Sequence, residues 1–184
     1  MQFIWAKPEN FDGLISELKI DDCLATLMHC KARIVDLDRD ARLVLPTDFF
    51  KGVGICEEKT WKIFYCPADY LRIAPETLWR GYFYRELELI ANKLRMDLGK
   101  LGPKAYHLPE ARVLIDSIFA TAADVPFDKR GRLTVPEELR ELAELKNRCW
   151  LDFDMWGIYI EDLQKRTQRI KQSASDLRSK LSKP

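Results

Sequence analysis

Two clusters of charged residues in this 184-residue chain have the types and spacing to grip a polyanion. The denser is Asp128-Lys129-Arg130-Gly131-Arg132, where Lys129, Arg130 and Arg132 crowd one short turn beside a single acid. Arginine offers a planar fork of donors that matches phosphate oxygens or a guanine edge, and lysine offers a point charge. Gly131 admits the positive φ of a tight turn. Asp128 accepts hydrogen bonds only and is repelled by phosphate. It is better suited to holding the turn through backbone N–H groups, or to orienting Arg132. The second cluster is Asp38-Arg39-Asp40-Ala41-Arg42. Arg39 and Arg42 are its candidate contacts, and Asp38 its turn-structuring acid. Ala41 stands where the other cluster has Gly131, so an altered turn is expected. Asp36, Asp38 and Asp40 offset Arg33, Arg39 and Arg42, which weakens the electrostatic case at this turn.

Other chemistries find less support. The two histidines, His29 and His107, lack a partner motif for nucleophilic or acid–base work, and no GxSxG, Walker A or HExxH pattern occurs. The five cysteines are Cys23, Cys30, Cys56, Cys66 and Cys149, an odd number without a CxxC pair, which favours reduced thiols over a disulfide framework. Cys23, His29 and Cys30 do not have a standard zinc spacing. Asp36, Asp38, Asp40, Glu57 and Glu58 read as a solvated acidic face. We therefore expect a protein that is not an enzyme, with no metal, no cofactor and no small-molecule substrate. No stretch approaches the ~18 apolar residues of a membrane helix, and the apolar run at the N-terminus is too short for a signal peptide. A soluble, cytoplasmic protein without a membrane partner is expected. Net charge is +1, so any basic surface must be local or built by assembly.

The elements that must position these clusters show a repeat. Asp38-Arg-Asp-Ala-Arg-Leu-Val-Leu-Pro46 matches Asp128-Lys-Arg-Gly-Arg-Leu-Thr-Val-Pro136, with Asp, Arg, Leu and Pro at the same four positions. Each copy reads strand, turn, strand, then a short helix opened by proline with acids in its first turn. Leu139, Leu142 and Ala143 would share one face of the second of these helices. Aromatic-rich strands follow: 61–66 in the first copy, and in the second a pair over 149–160 joined near Asp154-Met155. Trp61 and Trp156 are expected to correspond, and the tryptophans to pack in the core. Between the copies, Leu87, Ile90, Ala91, Leu94 and Leu98 predict a helix stopped by Gly99, Gly102 and Pro103. Pro109 opens another through Ile115, Ile118 and Phe119. A last helix is expected from about Glu161, with Leu163, Ile170, Ala174, Leu177 and Leu181 in a narrow heptad-like stripe. Residues 161–184 hold seven Lys/Arg against three Asp/Glu, a composition that suits a solvated helix end or an auxiliary phosphate-binding arm.

With these motifs in view, the stretch from Phe119 to Arg140 closely resembles the second unit of the MraZ family. A small-residue stretch leads into a strand, a DxxxR turn, Gly-Arg-hydrophobic-x-hydrophobic-Pro, and a helix. Met28 to Arg42 resembles the family's usual start without a gap. The resemblance covers roughly residues 28–170, and 1–27 form an extension outside it.

What the resemblance implies is an α+β fold of two pseudo-symmetric AbrB-like (SpoVT-AbrB) swapped-hairpin β-barrel units with accessory helices. The expected divisions are an extension 1–27, a first unit 28–73, a helical connection 74–117, a second unit 118–163 and a basic helical tail 164–184. Units of this size are marginal alone, and exchanging hairpins would relieve that. The family forms ring-shaped homo-oligomers and regulates transcription by binding repeated double-stranded DNA elements upstream of cell-division and cell-wall genes, which implies a nucleoid-associated location. Its DxxxR arginines face DNA, which here means Arg42 and Arg132. The alternative is an AbrB-like partner-binding or antitoxin module whose DNA binding has weakened or been lost, with 1–27 as its partner arm.

Overall fold

A computed structural model describes residues 32–46, 61–96, 107–128, 130–154 and 156–181. The expected helix after Pro46, the glycines at 99 and 102, the cysteines at 23, 30 and 56, and Lys129 lie outside these residues.

The fold is α+β: helices against antiparallel sheet. In chain order come β1 (Arg33–Asp36), β2 (Arg42–Val44), β3 (Trp61–Cys66), β4 (Tyr70–Pro75), α1 (Glu76–Lys93), α2 (Pro109–Leu114, with a π-turn over Ile115–Phe119), β5 (Ala123–Val125), β6 (Arg132–Thr134), α3 (Glu137–Leu142), β7 (Arg148–Asp154), β8 (Gly157–Asp162) and α4 (Leu163–Leu181). Among the described residues six strands form one sheet in the order β1-β7-β8-β4-β3-β5, and β2 pairs with β6 in a separate two-stranded ribbon. The order reads the same when β1 is exchanged with β5, β7 with β3 and β8 with β4. Four pairings among the described residues cross between the N-terminal and C-terminal halves: β1 lies on β7, β5 on β3, β4 on β8, and β2 on β6.

One face of the large sheet is aliphatic. Leu71, Ile73, Leu151, Ile158 and Ile160 are fully buried there and pack with Leu43, Leu45, Leu133 and Val135 beneath the ribbon. Each such side chain contributes ~1.5–3 kcal/mol on burial. α1 covers the sheet with Leu78, Tyr82, Phe83 and Leu87. Trp61, Trp79 and Trp156 are buried; Trp61 stands edge-on to Phe127 at 5.3 Å, and Trp79 stacks on Phe119 at 5.4 Å.

Several expectations need correction. Trp61 opens β3 whereas Trp156 sits in the turn between β7 and β8, so they are not equivalent; residue type drew them together, but strand position separates them. The central helix ends at Lys93, before Leu98. Arg95 takes φ 55°, and the amides of Arg95 and Met96 bond back to the carbonyls of Asn92 and Ala91, the paired bonds of a Schellman stop. α3 ends the same way: Glu144 has φ 50°, and the amides of Glu144 and Leu145 reach Glu141 and Arg140. Leu142, the last residue of the helix, faces solvent, and the stop brings Leu145 into the core beside Leu139 and Ala143. The last helix starts at Leu163, because Glu161 and Asp162 still belong to β8. β4 has no counterpart among the strands expected from the sequence.

Candidate functional site

The two turns share one backbone construction. In the second, the Asp128 amide donates to the Arg132 carbonyl at 2.9 Å, and the Gly131 amide to the Asp128 carbonyl at 2.9 Å. Asp128 Oδ1 accepts from the amides of Arg130 at 2.8 Å and Arg132 at 2.9 Å, and Oδ2 accepts from Arg132 Nε at 2.6 Å. In the first, the Asp38 and Ala41 amides make the same backbone bonds, each at 3.0 Å. Asp38 Oδ1 accepts from the amides of Asp40 and Arg42 at 2.9 Å, and Oδ2 from Arg42 Nε at 2.9 Å. An altered first turn is thus not what forms. Ala41 takes the left-handed conformation itself, φ 57° against 71° at Gly131. A non-glycine residue there carries a cost of ~1–2 kcal/mol, which the repeated hydrogen bonds offset.

These amides stabilise the ionised carboxylates. The Arg132 amide, then its side chain and the Arg130 amide, hold the Asp128 carboxyl down at about 2. Asp38 is lowered too, chiefly by the Arg42 amide.

The turns flank the ribbon, and its register sets what they present. Arg42 pairs with Thr134, Leu43 with Leu133 and Val44 with Arg132, so the local two-fold axis passes through the Leu43–Leu133 pair. The same symmetry appears in the Leu45 amide donating to the Gly131 carbonyl at 3.0 Å and the Val135 amide to the Ala41 carbonyl at 2.9 Å. Strand alternation turns Leu43 and Leu133 into the core. Arg42, Val44, Arg132 and Thr134 share the opposite, outward face. The two arginines stand diagonally across two strands, a separation of ~7–8 Å at the backbone.

Charge separates two turns that geometry makes alike. Residue 40 is Asp where residue 130 is Arg, and both side chains are exposed. Asp40 makes a second, close ion pair with Arg42 Nη2. Arg132 has Asp128 as its one carboxylate partner among the described residues, and this pair occupies its Nε edge. Arg39 and Arg130 project at the turn tips.

A second polar cluster lies on the non-aliphatic face of the large sheet and was missed in the sequence. Arg72 is buried in β4 and makes a two-point ion pair with Asp154, its Nη2 lying 2.9 Å from Oδ2; its guanidinium sits 4.7 Å from the Tyr82 ring. Next to it, buried Glu161 accepts from Tyr159 Oη at 2.6 Å and from Arg169 Nη2 at 2.7 Å. Tyr70, Arg72, Asp152, Phe153, Asp154, Tyr159 and Arg166 line an open cleft of about 260 Å³ there. Its arginines already face carboxylates, Arg72 with Asp154 and Arg166 with Glu161 at 3.6 Å, so the cluster ties β4, β7, β8 and α4 together. An arginine amid the β-formers of 70–75 was the available signal. Cys66 and Cys149 are buried, and burial pushes their thiols up to about 11 and about 12, leaving both as neutral packing groups at pH 7. Among the described residues no His, Cys, Asp and Glu side chains gather as a metal-binding group, and no helix is long and apolar enough to cross a membrane.

No family model matches the chain. It is similar to the transcriptional regulator MraZ of Halothermothrix orenii, with 33% identity over 92 residues, covering 42% of this chain and 64% of that protein. It is also similar to the transcriptional regulator MraZ of Lactiplantibacillus plantarum, with 34% identity over 53 residues, covering 26% of this chain and 38% of that protein. The resemblance to MraZ proteins read from the residues is therefore found again by direct comparison, over less than two thirds of either relative's length.

Proposed function

We propose that this chain is a sequence-specific DNA-binding transcriptional regulator of the MraZ type, and that the outward face of the β2–β6 ribbon is its DNA-reading surface. The observation that carries the reading is the register placing Arg42 and Arg132 on one exposed face, with Val44 and Thr134 between them. A two-stranded ribbon fits the B-DNA major groove, which is ~12 Å wide. There arginine can engage guanine O6 and N7, while a valine or threonine methyl meets the thymine methyl. Arg39 and Arg130 at the tips, with Lys129 adjacent in sequence, would meet phosphates and fix the register on the duplex. Asp38, Asp128 and Gly131 would shape the turns; at 41 the alanine takes the glycine's part.

The cross-paired strand order supports two swapped-hairpin units of AbrB type, 28–73 and 118–163, joined by 74–117 and flanked by 1–27 and the tail 164–184. As in the MraZ family, the working form would be a ring of copies in the cytoplasm, associated with the nucleoid. It would read repeated promoter elements upstream of cell-division and cell-wall genes, with no catalysis. The neutral first turn, where Arg42 is held by two carboxylates, favours a second reading: a partner-binding module with weakened DNA affinity.

Titrating the full chain against duplex from its own upstream region and against a shuffled duplex, over a range of salt, tests the reading. Selective binding of the native duplex, with affinity falling log-linearly in salt, is expected. Equal binding to both duplexes, or none, would favour the partner-binding module.

A further inference from the structure

The two-fold order of the large sheet extends to the helices that leave it. Arg72 of β4 pairs with Tyr159 of β8, so positions equally far along from these two correspond. α1 begins four residues after Arg72, and α4 four residues after Tyr159. Their roots sit on the sheet alike, with the side chains exchanged. The Tyr82 ring of α1 lies 4.7 Å from the Arg72 guanidinium, and at the mirrored place Arg169 of α4 donates to Tyr159 Oη. The apolar stripe of α4 has its counterpart too. Ile170, Ala174, Leu177 and Leu181 correspond to Phe83, Leu87, Ile90 and Leu94.

What differs is the cover. On α1, Phe83 and Leu87 are buried and Ile90 partly so, because α2 lies against them. Phe119 stands 5.6 Å from Phe83, and Ala111, Leu114 and Ile115 join the same core. On α4 no residue is buried, and Ile170, Leu177 and Leu181 are 52%, 58% and 78% exposed in the isolated chain. With Thr167 and Ala174 they alternate steps of three and four, the seam of a coiled coil. A bare seam at the positions where the sister helix carries a packed helix is a docking place for a helix from another molecule.

Charge beside the seam says what kind of helix. The flanking positions are Arg166, Lys171, Ser173, Arg178 and Lys180, four cations and no acid. The ion pairs of α4 among the described residues are all at its root, from Lys165, Arg166 and Arg169. That leaves Lys171, Arg178 and Lys180 to meet a partner. A second copy of α4 would set cation against cation in either orientation. We propose that the outer stripe of α4, Ile170 to Leu181, docks an acidic amphipathic helix of a partner protein, with apolar residues at heptad spacing and Asp or Glu beside them. This face is separate from the ribbon turns, so the proposal stands or falls apart from DNA reading.

Two synthetic peptides of about three heptads serve as probes, both with leucine along the seam, one flanked by glutamate and the other by lysine. In calorimetric titration of the full chain, the acidic peptide should bind at least about tenfold more tightly than the basic one. It should also slow hydrogen exchange in residues 170–181, with β4 and β8 unchanged as internal controls for folding. Leu177→Asp/Leu181→Asp should lose both effects. Lys171→Glu/Arg178→Glu should turn the preference to the basic peptide. Failure of the unmodified chain to bind the acidic peptide, equal binding of the two peptides, or undiminished binding by Leu177→Asp/Leu181→Asp overturns the proposal. Protection of 170–181 that rises with protein concentration in the absence of peptide assigns the seam to a second copy and overturns it as well. So does protection brought about by duplex DNA in place of peptide, which would give the cations to phosphates.

Discussion

If the ribbon reads DNA, its two arginines should not contribute equally, and Arg132→Ala against Arg42→Ala is the comparison that tests it. The backbone is the same at both, so the difference comes from charge. An arginine contact to base or phosphate is typically worth ~1–3 kcal/mol, a factor of about 5 to 150. Arg132 has its Nε edge on Asp128 and shares its turn with Arg130, with Lys129 adjacent in sequence. Arg42 is divided between Asp38 and Asp40. The Asp40 carboxylate also repels the approaching phosphates. Two unit charges ~7 Å apart in water interact by ~0.6 kcal/mol, or about threefold in affinity. Arg132→Ala should therefore weaken binding to the native duplex by the full factor, and abolish it where a ring repeats the loss at every engaged subunit. Arg42→Ala should cost several-fold less. Both side chains are partly exposed and their ion pairs add little to stability, so unfolding midpoint and particle size should not move. Band-shift titrations at fixed salt decide the ranking. Unchanged affinity for Arg132→Ala would refute the proposed surface. A larger loss for Arg42→Ala would refute the charge argument while keeping the ribbon.

Asp40→Arg copies the charge at residue 130 and turns that repulsion into attraction; affinity should rise about eightfold, from ~1.2 kcal/mol, with a steeper salt dependence in the same titration. The Asp128 carboxyl lies below its unfolded value of ~3.9, so its contribution is complete above about pH 4 and is lost as pH falls towards 2; NMR titration of that carboxyl should give about 2, and Asp128→Asn should remove this part of the acid sensitivity. Gly157→Ala should lower stability by ~2–4 kcal/mol in denaturant unfolding, since Gly157 has φ 127° and a Cβ there collides with the Ile73 carbonyl oxygen. Asp154→Ala should cost ~3–5 kcal/mol by leaving Arg72 buried and unpaired, whereas Arg72→Met should cost less because Asp154 can be solvated; the same unfolding assay ranks them.

What could be read from the sequence was local. Asp128 to Pro136 declares a turn because an acid, a glycine and a proline each fix backbone within a few residues, and the strand turn at 154–157 is equally self-contained. β4 was hidden because Tyr70–Pro75 is buried along nearly its whole length and shows no alternation, the pattern of a strand covered on both faces. The early stop of α1 was hidden because arginine, rather than glycine, takes the left-handed position at 95. The crossing of β1 to β7 and β5 to β3 links residues 112 to 118, or 60 to 64, positions apart, and no short-range signal encodes such pairings.

The first turn shows why sequence likeness and functional likeness part company at the site itself. The backbone there is set by Asp38 and by whatever occupies position 41. Alanine proves sufficient because the bonds to the Asp38 carboxylate and carbonyl close around it as those to Asp128 close around Gly131. The residues at 39 and 40 point outward, and the fold asks only that they leave the backbone free. Their charge is therefore open to change without any loss of structure, which is how one construction carries Asp40 on one side of the ribbon and Arg130 on the other. Two turns that fold alike can then differ widely in their grip on a polyanion. The stability of the ribbon follows from Leu43, Leu45, Leu133 and Val135 beneath it, whereas on the proposed reading its affinity for DNA would come from the exposed tips, so each could be altered without the other.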